Sequence, residues 1–104
     1  VRRFGKSYAH PLMVLIALPS QEETSRVGVM ASRSVGKAVQ RNWAKRVLRS
    51  AIQPYLHSLK PGWNVVLIAR SPLTKATFQQ TQAALLTLMQ RAALLQDGND
   101  IGNP

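Results

Sequence analysis

The chain has no cysteine. That excludes a disulfide framework and thiolate metal sites, and it fits a reducing compartment such as the cytoplasm. Histidine is scarce as well: His10 and His57 stand far apart and suggest no metal site by themselves. No apolar run reaches the roughly 18–20 residues needed to cross a bilayer, and the longest, Pro11 to Pro19, is strand-sized. Acid is the rarest charge. Glu22, Glu23, Asp97 and Asp100 are the only carboxylate side chains, so Thr24 to Gln96 contains none. Neither paired carboxylates nor a nucleophile–base–orienter set can be assembled from this inventory. A nuclease working through its own side chains would also need several metal-binding carboxylates. The chain itself is not expected to be the catalyst.

What is present is positive charge. Fourteen Lys and Arg against four acids give a formal net charge of +10 over 104 residues. Ordinary soluble surfaces mix both signs. A surface of one sign repels itself unless a polyanion neutralises it, which points to nucleic acid ahead of an acidic membrane. The 45% apolar content is ordinary for a globular protein, and the length suits one small domain with one core. Residues 1–96 are read as that domain and 97–104, rich in Gly, Asn and Asp, as a flexible tail. No signal peptide is visible, and the opening Val1-Arg-Arg-Phe4 leads us to expect a missing upstream segment.

Val1 to His10 reads as the tail of a helix. Leu12 to Leu18 and Asn64 to Ala69 are continuous apolar runs that read as buried strands. Arg26 to Ala31 places Val27, Val29 and Ala31 on one face, and is expected to pair antiparallel with the first strand. Ser34 is a candidate N-cap for the basic segment that follows, and Pro54 should end that helix near Gln53. Thr77 and Gln80 have capping-box spacing. The helix they open should run to about Leu95, with Phe78, Leu85, Leu88, Met89, Ala92 and Leu95 along one side. The whole is a single α+β domain, roughly ββαβα.

The basic segment, Val35 to Ile52, carries Lys37, Arg41, Lys45, Arg46 and Arg49 and no acid. At about 100° per residue, these cations and Asn42 fall on one arc. Val39, Trp43, Val47, Ala51, Ala44 and Leu48 fall on the other, which is expected to pack on a sheet. A merely solvated face would intersperse Glu or Asp at i±4, since like charges at that spacing repel by a few tenths of a kcal/mol. None occurs, so the stripe is read as a ligand surface, and three of its five cations are Arg, whose planar fork suits phosphate. Asn42 is either a surface polar residue or a directional contact to a ribose, phosphate or base edge. Trp43, beside the boundary, is expected to pack at the core edge rather than stack on RNA. Gly36-Lys37 is no phosphate loop: Ala31 stands where a Gly is required and Ala38 where Ser or Thr is required. The segment from Ser32 to Gly36 still enters a helix N-terminus, which favours an anion.

Three stretches, residues 5–12 (GKSYAHPL), 26–49 (RVGVMASRSVGKAVQRNWAKRVLR) and 61–70 (PGWNVVLIAR), closely resemble the protein subunit of bacterial ribonuclease P. The resemblance runs from Val1 to about Leu95. It implies a small two-layer α/β sandwich with a central mixed sheet of three to four strands, the basic helix in a left-handed β-α-β crossover, and a C-terminal helix. It also implies a non-catalytic subunit of a ribozyme endoribonuclease that removes the 5′ leader of precursor tRNA. Its partners would be ribonuclease P RNA and precursor tRNA, with no obligate protein partner and no membrane, and its Mg²⁺ would be held mainly by the RNA. The family's RNA-binding motif maps onto Arg33, Ser34, Lys37, Arg41, Asn42, Lys45, Arg46 and Arg49. Trp43 departs from it, standing where the usual pattern Arg-Asn-Arg has its second Arg. The aromatic-bearing first helix of the family is almost wholly missing ahead of this chain, which leaves Tyr8, Val14 and Ile16 as the remaining wall of a leader-binding cleft.

Three rivals remain from the residues themselves. A ribosomal or other structured-RNA protein would share the charge pattern. A major-groove DNA reader needs base-reading side chains near the helix start, where Val35, Gly36, Ala38 and Val39 stand. A membrane-surface helix needs the apolar arc that the core already uses.

Overall fold

The computed structural model of the chain describes residues 6–21, 26–60, 62–92 and 94. In chain order the elements are β1 (Lys6–Ala9), β2 (Met13–Pro19), β3 (Arg26–Ala31), a 3₁₀ turn (Arg33–Val35), α1 (Ala38–Ile52), a 3₁₀ stretch (Gln53–Ser58), β4 (Trp63–Ala69), a second 3₁₀ turn (Ser71–Lys75) and α2 (Phe78–Arg91). The tail, residues 97–104, Leu95 and all four acids lie outside the described residues.

The sheet runs β1-β2-β4-β3. β1 and β2 pair antiparallel, β2 and β4 pair antiparallel, and β3 pairs parallel with β4. This corrects two expectations. Lys6–Ala9 is a strand rather than the end of a helix. It takes one edge of β2 while β4 takes the other, so β2 has no edge left for β3. β3 therefore lies parallel to β4, and a parallel pair needs a long crossover; α1 is that crossover.

Burial on the two central strands alternates with the two-residue period of a pleated strand. Met13, Leu15 and Ala17 of β2 and Val65, Leu67 and Ala69 of β4 are buried, and they sit opposite each other as Met13–Ala69, Leu15–Leu67 and Ala17–Val65. Large residues face small ones at two of the three positions, which levels the floor on which the helices rest. The intervening side chains are also apolar, so the alternation is invisible in the sequence and both strands read as buried throughout. The structure corrects that: Val14, Ile16, Val66 and Ile68 are only partly buried. They point away from the helices, and no described element covers their face.

Both helices pack on the Met13/Leu67 side. α2 contributes Thr81, Ala84, Leu85, Leu88 and Met89. Its start is fixed as the sequence suggests: the Gln80 backbone N–H donates to Thr77 Oγ1 at 3.0 Å, and the Thr77 N–H donates to Gln80 Oε1 at 3.0 Å. Thr81, the one buried polar residue described, donates through Oγ1 to the Thr77 carbonyl. The helix ends at Arg91, short of the expected Leu95, and Leu94 returns its N–H to the Met89 carbonyl at 3.0 Å. α1 buries Ala44, Leu48, Ala51 and Ile52 and ends at Ile52, two residues before Pro54. Among the described residues no helix is long and apolar enough to cross a membrane.

Leu67 sits at the centre of this layer, fully buried between β2 and β3 and beneath the helices. Leu67→Ala should lower the free energy of unfolding by about 2–5 kcal/mol, the range for deleting a buried Leu side chain, read as a lower urea midpoint.

Candidate nucleic-acid interface

The loop that leads into α1 is built by its backbone. The Ser32 N–H donates to the Ala69 carbonyl at 3.1 Å, tying the end of β3 to the end of β4. Val35 and Gly36 then donate to Ser32 and Arg33 carbonyls, closing the 3₁₀ turn. Val35 is buried in the core, which turns Arg33 and Ser34 outward. Ser34 is not the cap of α1. It lies inside the turn, with its Oγ 2.8 Å from Ser32 Oγ, and the capping position falls to Lys37, whose N–H donates to Gln40 Oε1 at 2.9 Å. Gly36 has φ 139°, a conformation that favours glycine, and a Cβ there would collide with the Gln40 side-chain amide. The glycine and the Gln40 contact therefore depend on each other.

This geometry brings the turn and the helix flank together. Ala31, Arg33, Ala38, Arg41, Asn42 and Lys45 line one concavity of about 360 Å³. Arg41 and Lys45 are half-buried, since they flank the stripe Ala44–Leu48–Ile52 that packs on the sheet. Long cationic side chains of this kind bury their stems and keep their charged ends in solvent. The first turn of α1 contains no acid, so the positive end of the helix dipole adds to the same field. None of the four acids of the chain lies within the described residues. Three cations converge on a recess with no described carboxylate to neutralise them.

The other motif residues are placed differently. Lys37 and Arg49 are exposed along α1 but do not line the recess. Arg46 opens on the far side of the helix, in a separate groove with Trp43, Val47, Ser50 and Phe78. The apolar arc is not wholly a packing surface either. Val39 is 79% exposed and Trp43 is 40% exposed and outside the core cluster. Trp43 is thus not a core-edge anchor. α1 shares the sheet with α2, so only a narrow stripe of it meets the sheet, and the Trp43 side turns toward the start of α2. Phe78, assigned to the core side of its helix by periodicity, is 46% exposed on that same groove.

The three leader-wall residues also divide. Val14 and Ile16 share the open face, Val14 opposite Ile68 and Ile16 opposite Val66. Tyr8 pairs with Leu15 and packs against the core from the helix side, because residues opposite each other in a ladder point the same way. Met30, 55% exposed and beside Ile68, extends the open apolar face. Periodicity did not single out Met30, Val66 or Ile68; the only available sign was that both strand faces read as apolar.

Fold and recess together define a small α+β protein with a cationic recess on one flank of its first helix. A family model described as Ribonuclease P matches residues 1–93. The chain belongs to the ribonuclease P protein family. It is 37% identical over 97 residues to a ribonuclease P protein component from Herpetosiphon aurantiacus, covering 93% of this chain and 79% of that relative. It is 35% identical over 92 residues to one from Clostridioides difficile, covering 88% and 81%. Among solved structures, the RNase P protein of Staphylococcus aureus superposes with a TM-score of 0.77 at 26% identity, covering 88% of this chain and 84% of that one. The Thermotoga maritima RNase P protein gives 0.74 at 28% identity, covering 84% and 83%.

Two substitutions probe the recess. Lys45→Ala should reduce the slope of log affinity against log salt by about 0.7–0.9 for RNA, one phosphate contact's worth, in filter-binding titrations. Gly36→Ala should cost about 1–3 kcal/mol of stability through backbone strain and the lost Gln40 contact, measured by urea unfolding.

Proposed function

We propose that the chain acts as the protein subunit of ribonuclease P, binding the catalytic RNA through the basic flank of α1 and its lead-in turn. The observation that carries this reading is the convergence of Arg33, Arg41 and Lys45 on one recess within a stretch, Thr24 to Gln96, that has no acid. Phosphates supply the missing counter-charge, and arginine forks hold them in fixed orientation. Lys37, Arg46 and Arg49 extend the same field along and across the helix. Asn42, exposed and on the lining of the recess, adds a donor and an acceptor suited to a ribose or base edge.

The single-stranded 5′ leader of precursor tRNA is assigned to the open sheet face. Val14, Ile16, Val66, Ile68 and Met30 offer a flat apolar platform there, and unpaired bases bring apolar faces that paired ones cover. Tyr8 is left out of this platform because it faces the other layer. Chemistry belongs to the RNA in this reading, and so does Mg²⁺. Among the described residues no group of three or more His, Cys, Asp or Glu could hold an ion. The protein's part is to bind, orient and neutralise.

The test is cleavage of a precursor tRNA by a bacterial ribonuclease P RNA at low Mg²⁺, with and without this protein. Stimulation is expected, and it should be greater for a precursor with a leader of several nucleotides than for one with a single leader nucleotide. A ribosomal-RNA or other structured-RNA protein would leave cleavage unchanged at every concentration, and that result overturns the proposal. Stimulation independent of leader length would remove the leader from the sheet face.

A further inference from the structure

The groove on the far side of α1 is not used by the recess. Trp43, Arg46, Val47 and Ser50 follow one another at i, i+3, i+4 and i+7, which aligns them on a single stripe of the helix. Phe78, the first residue of α2, forms the other wall, and the five residues line an open groove of about 360 Å³. That is at the small end of the range of roughly 300–1,000 Å³ for ligand clefts. Trp43 and Phe78 are the only aromatic residues among the large apolar side chains that the described structure leaves exposed, and both lie here. The backbone on the Phe78 side is held. The Thr77–Gln80 capping box fixes the turn that carries Phe78, and Gln82 Nε2 donates to the Ala51 carbonyl at 3.2 Å, tying α2 to the end of α1.

We infer that this groove is a stacking subsite for one unpaired nucleobase of a bound RNA strand, with Trp43 and Phe78 offering ring faces and Arg46 holding an adjacent phosphate. The inference rests on the RNA-binding reading above and adds a contact of a different kind. Charge selects the occupant. A second copy of the chain would bring Arg46 and the rest of a +10 molecule against itself, a repulsion with no described carboxylate to relieve it. A purely apolar segment would leave the Arg46 guanidinium at its rim without an anion. A nucleotide satisfies both walls at once, since its base stacks on an aromatic ring and its phosphate accepts from the guanidinium. The base must be unpaired, because neighbours in a duplex cover both of its faces. Asn42, exposed on the outer side of α1 and lining the recess, lies next to Trp43 in the chain, so one strand can touch both sites.

Trp43 reports on the groove directly. In a Trp63→Phe background it is the sole tryptophan of the chain. The probe is a short single-stranded oligoribonucleotide, compared with an abasic ribose-phosphate strand of equal length and with the blunt duplex of the same sequence. The single strand should quench Trp43 emission, while the abasic strand and the duplex should not. With Trp63 intact, Trp43→Ala should weaken binding of the single strand by about tenfold, as expected for one stacked base. It should leave the abasic affinity and the salt slope unchanged, because no charge is removed. Trp43→Phe should recover most of the loss. Quenching by the abasic strand, or a Trp43→Ala protein that binds as tightly as the parent, overturns the inference. So does a concentration-dependent dimer in sedimentation that Trp43→Ala abolishes, which would give the groove to a second copy. If the parent protein stimulates precursor-tRNA cleavage but shows none of the stacking signals, only this subsite fails. If it does not stimulate cleavage, the reading beneath it fails.

Discussion

Leu15 faces Leu67, Met13 faces Ala69 and Ala17 faces Val65, and this register between β2 and β4 is what the rest of the molecule stands on. A strand's side chains alternate, so a slip of one residue would turn the whole buried set outward and bring Val14, Ile16, Val66 and Ile68 under the helices. Those residues are also apolar, so hydrophobicity alone separates the two registers weakly. Shape separates them better. The Met13/Leu67 face mixes large and small side chains, and α1 answers it with Ala44 and Ala51 alongside Leu48 and Ile52. Backbone contacts at the strand ends reinforce the choice: Ser20 donates to the Gly62 carbonyl at 2.7 Å and Arg70 to the Leu12 carbonyl at 3.0 Å.

From that register the site follows. β3 can add only beside β4, and the Ser32–Ala69 hydrogen bond then sets where the lead-in turn lies. Burying Val35 turns Arg33 out, and seating Leu48 on the sheet places Arg41 and Lys45 on the flank facing Arg33. The cations gather because apolar packing on the opposite side positions them. Electrostatics would drive them apart, each like-charged neighbour adding a few tenths of a kcal/mol of repulsion. The core holds the stripe in place against that repulsion. The same packing leaves a second flank of α1, with Trp43 and Arg46, looking toward Phe78. One helix thereby carries a cationic flank and an aromatic one on different sides.

Several local signals in the chain hold in the structure. The capping box at Thr77 and Gln80, the stop before Pro54 and the acid-free stripe all depend on residues within a turn or two of one another. Signals that depend on partners were not legible. Ser34 has the chemistry of an N-cap, yet the buried Val35 beside it draws it into a 3₁₀ turn, and Gln40 makes the contact at Lys37 instead. The family resemblance groups Tyr8 with Val14 and Ile16, but ladder pairing with Leu15 sends it to the other face. Trp43 falls on the apolar arc of an isolated helix. How much of that arc meets the sheet depends on where α2 sits.

The sequence by itself pointed to the class of partner, because that depends on which ionisable groups the chain contains. It also located the two helices and the Thr77–Gln80 capping box, whose signals are short-range. Tertiary structure alone decided the strand order, the recess that joins Arg33 to Arg41 and Lys45, and the exposure of Trp43 beside Phe78. Each of these brings together residues distant in the chain, and which edge or face is free to receive them is settled only when every other element has taken its place.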